Sequence, residues 1–432
     1  MPLDVHFLTS SSGLPTVDPV GAITHLESLT AAKEPKGAVI KLYLKNFNLF
    51  NDTFGYAYGS LLLEQVYAFL STLADGCVHR YGGVEFLILL DGASDRQAAQ
   101  ITKRIQARFE STWCIQEMVC ICLVSMGLVF YSQEMHNVPD LIKRVEYATS
   151  EASRKGDPHV LTIFDYELQQ AVRRRQRISQ LIGKALQEHQ VEIRYRPTFC
   201  VEKGIFTRAD CYLRMVSPEL GIVSAAELIP VAEDSGQICA INRYAIRAVC
   251  CQIRRLLKEK IGFESISMPV SPMQLLQEHF VEDMAEILRE YRIPQGYFSI
   301  ELAESAMINS IGRISMIMQE LSAIGVEIVL NDFGTGYFGI HNILDFPVDV
   351  VKLDRLFVWQ LETNPRSGHL IEGLIHIAHN LGLKLIAEGV ETGNQVALLM
   401  AYGCRYEQGF YYSATVEPDA LSTLLGKKPK AL

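Results

Sequence analysis

The spacing of apolar and polar residues changes several times along the chain, and each change marks an element. Residues 39–44, VIKLYL, form an apolar run that predicts a strand, and Ser60 to Leu73 repeats apolar residues at helical spacing. Cys77 to Leu90, CVHRYGGVEFLILL, sets two apolar runs around a Gly-Gly pair, which is hairpin chemistry. Helical periods follow over 95–110 and 138–153, and strand-like runs over 118–131 and 159–164. This alternation predicts an α/β sandwich with a mixed sheet over residues 1–165, followed by a linking helix over 166–190.

Beyond the helix, eight strand-like runs recur: 191–199, 204–214, 265–271, 297–304, 326–332, 348–354, 383–389 and 407–413. Helical periods separate most of them, and the total length suits a β/α barrel of roughly 250 residues. Several of these strands are apolar and then end in charge or amide: Ile300-Glu301, Leu330-Asn331-Asp332, Lys352-Leu353-Asp354 and Ala387-Glu388. Parallel barrel strands bring their carboxyl ends to one mouth, where barrel enzymes place their chemistry. Acids clustered there repel one another unless a cation or ligand sits among them, so the pattern points to a present or ancestral divalent-metal site.

Composition narrows the partners. The chain has 432 residues, 49% apolar and 21% charged, with a formal charge of −9. That is an ordinary globular balance, and the net acidity offers no broad basic field, so no DNA partner is expected. No signal-like N-terminus is seen. The most apolar stretch, Met118 to Tyr131, is too short for the roughly 20 residues that span a bilayer. A cytoplasmic protein without a membrane segment is expected. The ten cysteines form no CxxC pair and read as buried thiols. His376 and His379 have no partner at ligand spacing. Arg173, Arg174, Arg175 and Arg177 cluster on the linking helix, either as a solvated face or as an anion-binding one.

At this point the motifs resemble a known family. The runs Asn331-Asp332-Phe333-Gly334-Thr335-Gly336-Tyr337, Val348 to Asp354, Ala387-Glu388-Gly389-Val390-Glu391-Thr392 and Gln408-Gly409-Phe410 resemble the EAL domain, as do Glu301 to Ser305 and Pro230…Glu233…Gly236. That family is a β/α barrel hydrolysing cyclic di-GMP with two metal ions. The first part resembles a GGDEF domain, the diguanylate cyclase fold, through Gly13-Leu14-Pro15, Asn51-Asp52-x-x-Gly55 and Arg80-Tyr81-Gly82-Gly83-Val84-Glu85-Phe86. The implied fold is therefore α/β, an N-terminal GGDEF-like sandwich (1–165) plus a C-terminal EAL-like TIM-type barrel (191–432).

Both halves depart from their families. Tyr43 and Val84 stand where a cyclase keeps its metal-binding acids, Ser60 stands at the guanine-contacting acid, and Leu73 and Gly76 replace the inhibitory RxxD. A phenol and an isopropyl group do not replace oxygen ligands for Mg²⁺, so no cyclase activity is expected. In the barrel the signature glutamate is Asp210, the metal-binding asparagine is Pro269, the first acid of the Asp-Asp pair is Asn331, and the YQP glutamine is Arg196. The resemblance implies a residual metal set of Asp210, Glu301, Asn331 and Asp332. It also implies ligand contacts from Arg196, Asp210, Arg214, Glu301, Asp332, Lys352, Glu388 and Gln408, with Glu304 steadying the loop after the Asp-Asp strand. Lys352 and Glu388 match the residues near the attacking water and stand as vestiges of a catalytic set.

The resulting expectation is a non-catalytic cyclic di-GMP receptor acting through a regulatory protein partner. A nucleotide-independent interaction protein, and a weak phosphodiesterase using Mg²⁺ or Mn²⁺, are the alternatives. Family resemblance also implies a possible homodimer through the barrel.

Overall fold

The computed structural model describes residues 14–74, 76–154, 158–304, 311–334 and 343–427. They divide into two compact units, Met1–Arg173 and Arg174–Leu432.

The first unit runs α1 (Pro19–Thr30), β1 (Gly37–Lys45), α2 (Phe47–Phe54), α3 (Tyr56–Ser71), β2 (Val78–Arg80), β3 (Glu85–Asp91), α4 (Asp95–Phe109), β4 (Trp113–Ile115), β5 (Met118–Cys120), β6 (Leu123–Tyr131), α5 (Val138–Arg154) and β7 (Leu161–Ile163). Five strands form one sheet in the order β2-β3-β1-β6-β7, mixed because only β7 pairs in parallel. Both faces of β1 are covered, which explains why it is apolar on both sides apart from the buried Lys41. Ala38, Ile40, Leu42 and Leu44 share a core with α3 and α4, while Val39 packs with α1 and α5.

The 118–131 run is not one strand. Trp113–Ile115 and Met118–Cys120 pair as a small separate hairpin, and the sheet strand starts only at Leu123. Gln116 takes the left-handed φ of 55° at this turn. Neither Gln116 nor Glu117 is a usual residue for that conformation, so the composition gave no turn signal.

The helix α6 (Tyr166–Gln187) buries Ile178, Ile182 and Ala185 in the core of the second unit. Arg174 and Arg177 on it form ion pairs with Glu227 and Glu219 at 2.6 and 2.5 Å. Two members of the arginine cluster are thus spent on neighbouring acids.

The barrel comprises β8 (Val191–Cys200), β9 (Ile205–Ser217), β10 (Gly221–Ser224), α7 (Ala225–Asp234), α8 (Ile238–Lys258), β11 (Ser265–Pro269), α9 (Pro272–Leu275), α10 (Phe280–Tyr291), β12 (Phe298–Ala303), α11 (Ile311–Ala323), β13 (Glu327–Phe333), β14 (Val350–Leu353), α12 (Arg355–Trp359), α13 (Pro365–Asn380), β15 (Lys384–Glu388), α14 (Gly393–Ala401), β16 (Tyr406–Gln408) and α15 (Pro418–Leu424). Eight strands close the ring β8-β9-β11-β12-β13-β14-β15-β16, and β10 flanks β9 outside it. One strand departs from an all-parallel barrel: β8 runs antiparallel to both β9 and β16. Its amino end therefore lies at the mouth where the other strands end.

Strand alternation sorts the side chains. Ile193, Cys211, Leu213, Ile266, Ile300, Leu330, Val351 and Leu385 face the helices and join the apolar core. The alternate positions face the lumen in layers. Arg208, Ser265, Ser299, Glu327 and Lys384 form the floor. Val329, Val350 and Ile386 form a small apolar layer, with Tyr406 packed against it. The functional candidates lie one step further toward the mouth.

The floor is a buried ion network. Arg208 donates to both carboxylate oxygens of Glu327, at 3.2 and 2.5 Å, and Lys384 approaches the same carboxylate at 3.0 Å. Burial would raise the Glu327 carboxyl, but Arg208 and Lys384 outweigh it and hold the group down to about 2. A depressed carboxylate stabilises the fold above its unfolded pKa and loses that contribution as pH falls through the folded one. Urea unfolding should therefore show the wild type losing on the order of 3 kcal/mol between pH 5 and pH 2 through this group. Glu327→Gln should flatten that part of the slope. Identical slopes would show that the network does not govern acid stability.

Candidate functional site

Ser267 on β11, Glu301 on β12, Lys352 on β14, Glu388 on β15 and Gln408 on β16 each occupy the lumen position at or near the mouth end of a strand, and Asp210, midway along the longer β9, stands level with Ser267. Their side chains meet. Lys352 is 1% exposed, and its ammonium lies 2.6 Å from Asp210, 2.7 Å from Glu301 and 3.2 Å from Glu388. Gln408 donates its amide to Asp210 at 2.6 Å and to Thr198 at 2.9 Å. The Ser267 hydroxyl lies 2.5 Å from a carboxylate oxygen of both Asp210 and Glu301.

Three acids around one ammonium cannot all ionise cheaply. Burial raises Glu301, and the neighbouring Asp210 charge raises it further, against Lys352. Burial works against ionised Asp210 too, but there Lys352, Glu301 and Ser267 prevail and hold it low. Burial likewise raises Glu388 against the pull of Lys352. The arrangement holds a proton on Glu301 and the negative charge on Asp210. Burial would lower Lys352, but the three acids keep it charged.

The remaining sequence candidates are more dispersed. Asp332 takes a left-handed φ of 58° where β13 slips register against β14. Its half-buried carboxyl is raised, first by burial and then by Asp354, to which it hydrogen-bonds. Asn331 keeps a buried side-chain oxygen without a hydrogen-bond partner among the described residues. Glu304 accepts from the Gly334 amide at 2.9 Å, the start of the loop it was expected to steady. Thr335 to Gly339 and Ser305 lie outside the described residues. Arg214 is held by Glu192 at 2.6 Å.

Arg196 stands in register with Asp210 across the β8–β9 pair, and its side chain reaches toward the next lumen position of β9, Tyr212. Among the described residues no carboxylate lies within ion-pair distance of it. Its guanidinium instead stacks over the rings of Tyr212 at 4.8 Å and Phe410 at 5.9 Å.

Sequence reasoning missed Glu192 and Arg194. Arg194 joins Glu192 at 3.2 Å and Glu417 at 2.7 Å, completing a rim with Arg214. The signal was present: in VEIRYRPTF the residues at 192, 194 and 196 are all charged and all on one strand face. It also missed Ser267, Thr198 and, in the first unit, Lys41. That buried lysine lies 3.3 Å from Glu85 and 3.7 Å from Glu146 under the Tyr81 ring, beside Tyr43 on the same strand.

Pro269 stands in register with Glu301 on the lumen face of β11. Among the described residues, no three His, Cys, Asp or Glu groups converge on a point that would hold a metal ion.

Comparison with known proteins agrees with this geometry. The EAL domain family model matches residues 179–415, and the model described as diguanylate cyclase, GGDEF domain, matches residues 23–159. The signaling protein YkoW of Bacillus subtilis (strain 168) is 27% identical over 417 residues, covering 94% of this chain and 52% of its own. The cyclic di-GMP phosphodiesterase PdeR of Escherichia coli (strain K12) is 29% identical over 388 residues, covering 89% of this chain and 58% of its own. The chain thus spans little more than half the length of these curated relatives. The solved PaMucR phosphodiesterase in complex with c-di-GMP aligns at a TM-score of 0.54 and 26% identity, over 57% of this chain and 99% of that one. A c-di-GMP-bound GGDEF–EAL fragment of Vibrio cholerae LapD aligns at a TM-score of 0.61 over 90% of this chain and 92% of that one, and at 16% identity it speaks for the fold alone. A closed eight-stranded barrel with its family motifs at one mouth, following a mixed-sheet sandwich in the chain, makes the chain a tandem GGDEF–EAL protein of the cyclic di-GMP signalling family.

Proposed function

We propose that the EAL barrel of this chain binds cyclic di-GMP without hydrolysing it, and that the GGDEF domain is structural. The observation that carries the reading is the donor set at the mouth. A two-metal hydrolase needs oxygen ligands enough to seat both cations. Pro269 contributes no side-chain oxygen, Asn331 contributes no charge, and Asp210 reaches about 1.5 Å less far than a glutamate. The two best remaining acids, Asp210 and Glu301, are already committed to Lys352 and Ser267. Those residues do not fit a pair of divalent ions. In the first unit, Glu85 is paired with Lys41, and Tyr43 and Val84 offer no carboxylate beside it.

A phosphodiester ligand still finds donors here. Among the described residues no carboxylate lies within ion-pair distance of Arg196, and Gln408 reaches its backbone carbonyl at 3.4 Å. The name of PdeR and the ligand bound in the PaMucR structure support cyclic di-GMP as that ligand. The proposed setting is cytoplasmic, with the signal passed to a regulatory protein or across a homodimer. Among the described residues no helix is long and apolar enough to cross a membrane.

Calorimetry with cyclic di-GMP tests the reading. The expected result is the same binding heat in EDTA, Mg²⁺ and Mn²⁺, with no linear dinucleotide on chromatography. Linear product in Mn²⁺ would make the chain an enzyme. No heat in any buffer would leave a nucleotide-independent interaction protein.

A further inference from the structure

We propose that Arg196 and Tyr212 form a metal-free clamp for one phosphodiester of the ligand. This inference rests on the binding role proposed above and specifies how that site works.

Tyr212 follows Asp210 on the lumen face of β9, one layer nearer the mouth. Its ring lies under the Arg196 guanidinium at 4.8 Å, and Phe410, 65% exposed and in the turn after β16, flanks the same guanidinium. Stacking uses the faces of a planar guanidinium and leaves its N–H edge free. That edge offers a fork matched to two phosphate oxygens. The two rings also fix the fork before any ligand arrives, which lowers the ordering cost of binding.

The phenol supplies the second donor. It meets no hydrogen-bond partner among the described residues. A phenol is protonated near neutral pH and offers its O–H as a donor. None of the neighbouring described acids accepts from it. An anion entering from the mouth gives it an acceptor. Arg196 and Tyr212 thus present a positive fork and a neutral O–H to the same space above the Lys352 cluster. They carry no need for a cation to offset the phosphate charge.

Binding titrations of cyclic di-GMP in EDTA test the clamp on the whole chain. Tyr212→Phe keeps the ring and the stack and removes only the O–H. It should weaken binding about tenfold, with the unfolding midpoint unchanged. Arg196→Gln should weaken it by about 10- to 100-fold. Arg196→Lys keeps the charge without the fork, and it should fall between the wild type and Arg196→Gln. Wild-type binding that disappears in EDTA, or wild-type affinity in both Tyr212→Phe and Arg196→Gln, would overturn the clamp and leave the receptor reading standing. Absence of binding by the wild type in every buffer would instead remove the receptor reading itself.

Discussion

Lys352→Met should destabilise the barrel by about 3–5 kcal/mol at neutral pH, the usual loss when one partner of a buried ion pair is removed. Lys352 is the only cation within salt-bridge distance of Asp210, Glu301 or Glu388 among the described residues. Methionine matches its length and fills its volume, so the loss is electrostatic and not a cavity effect. The pH dependence carries the proof. Without the ammonium, all three acids are raised by burial and by one another, and the folded state binds more protons than the unfolded one. Stability of the variant should therefore fall as pH rises from about 4.5, through the raised folded values, toward neutrality. The deficit against the wild type should shrink at pH 5. Adding Glu301→Gln removes one of the unpaired charges and should recover part of the loss. A deficit under about 1 kcal/mol at pH 7 in urea unfolding would show that the acids are neutralised some other way.

The same lysine shows how far the sequence could be read. Strand alternation in the barrel is regular enough that its eight strands and their mouth-end acids are visible without coordinates. Glu301, Lys352, Glu388 and Gln408 do meet, because each ends a strand of one closed sheet. Asp332 does not join them at ion-pair distance. A left-handed residue at a register slip turns it toward Asp354, and no periodicity announces a bulge made by an aspartate. The antiparallel β8 was equally silent. Its direction decides that Glu192 and Arg194 stand at the rim while Thr198 lies deep beside Gln408. Direction depends on closure of the ring, not on the strand's own residues. Lys41 was hidden for the opposite reason. One lysine inside GAVIKLYLK looks like a lapse in an apolar strand until α5 brings Glu146 to it.

Restoring the missing ligands should produce the largest functional change. The triple variant Asp210→Glu, Pro269→Asn, Asn331→Asp is expected to hydrolyse cyclic di-GMP to the linear dinucleotide in Mn²⁺. Its rate should exceed the wild type's by on the order of a thousandfold. Each change addresses one deficit. Glutamate at 210 extends the carboxylate by one methylene. Asparagine at 269 places an oxygen on the lumen face in register with Glu301. Aspartate at 331 adds charge to a side chain whose buried oxygen has no hydrogen-bond partner among the described residues. Ligands of one metal pair act as a unit, so the effects are not additive. Single variants should stay inactive, and only the triple should respond to Mn²⁺. A wild type that already turns over in Mn²⁺ would refute the donor count directly. If the triple bound Mn²⁺ and cyclic di-GMP yet released no product, the block would lie in the layer above. The stacked pair Arg196 and Tyr212 holds that position, and adding Arg196→Gln and Tyr212→Leu should then release the activity.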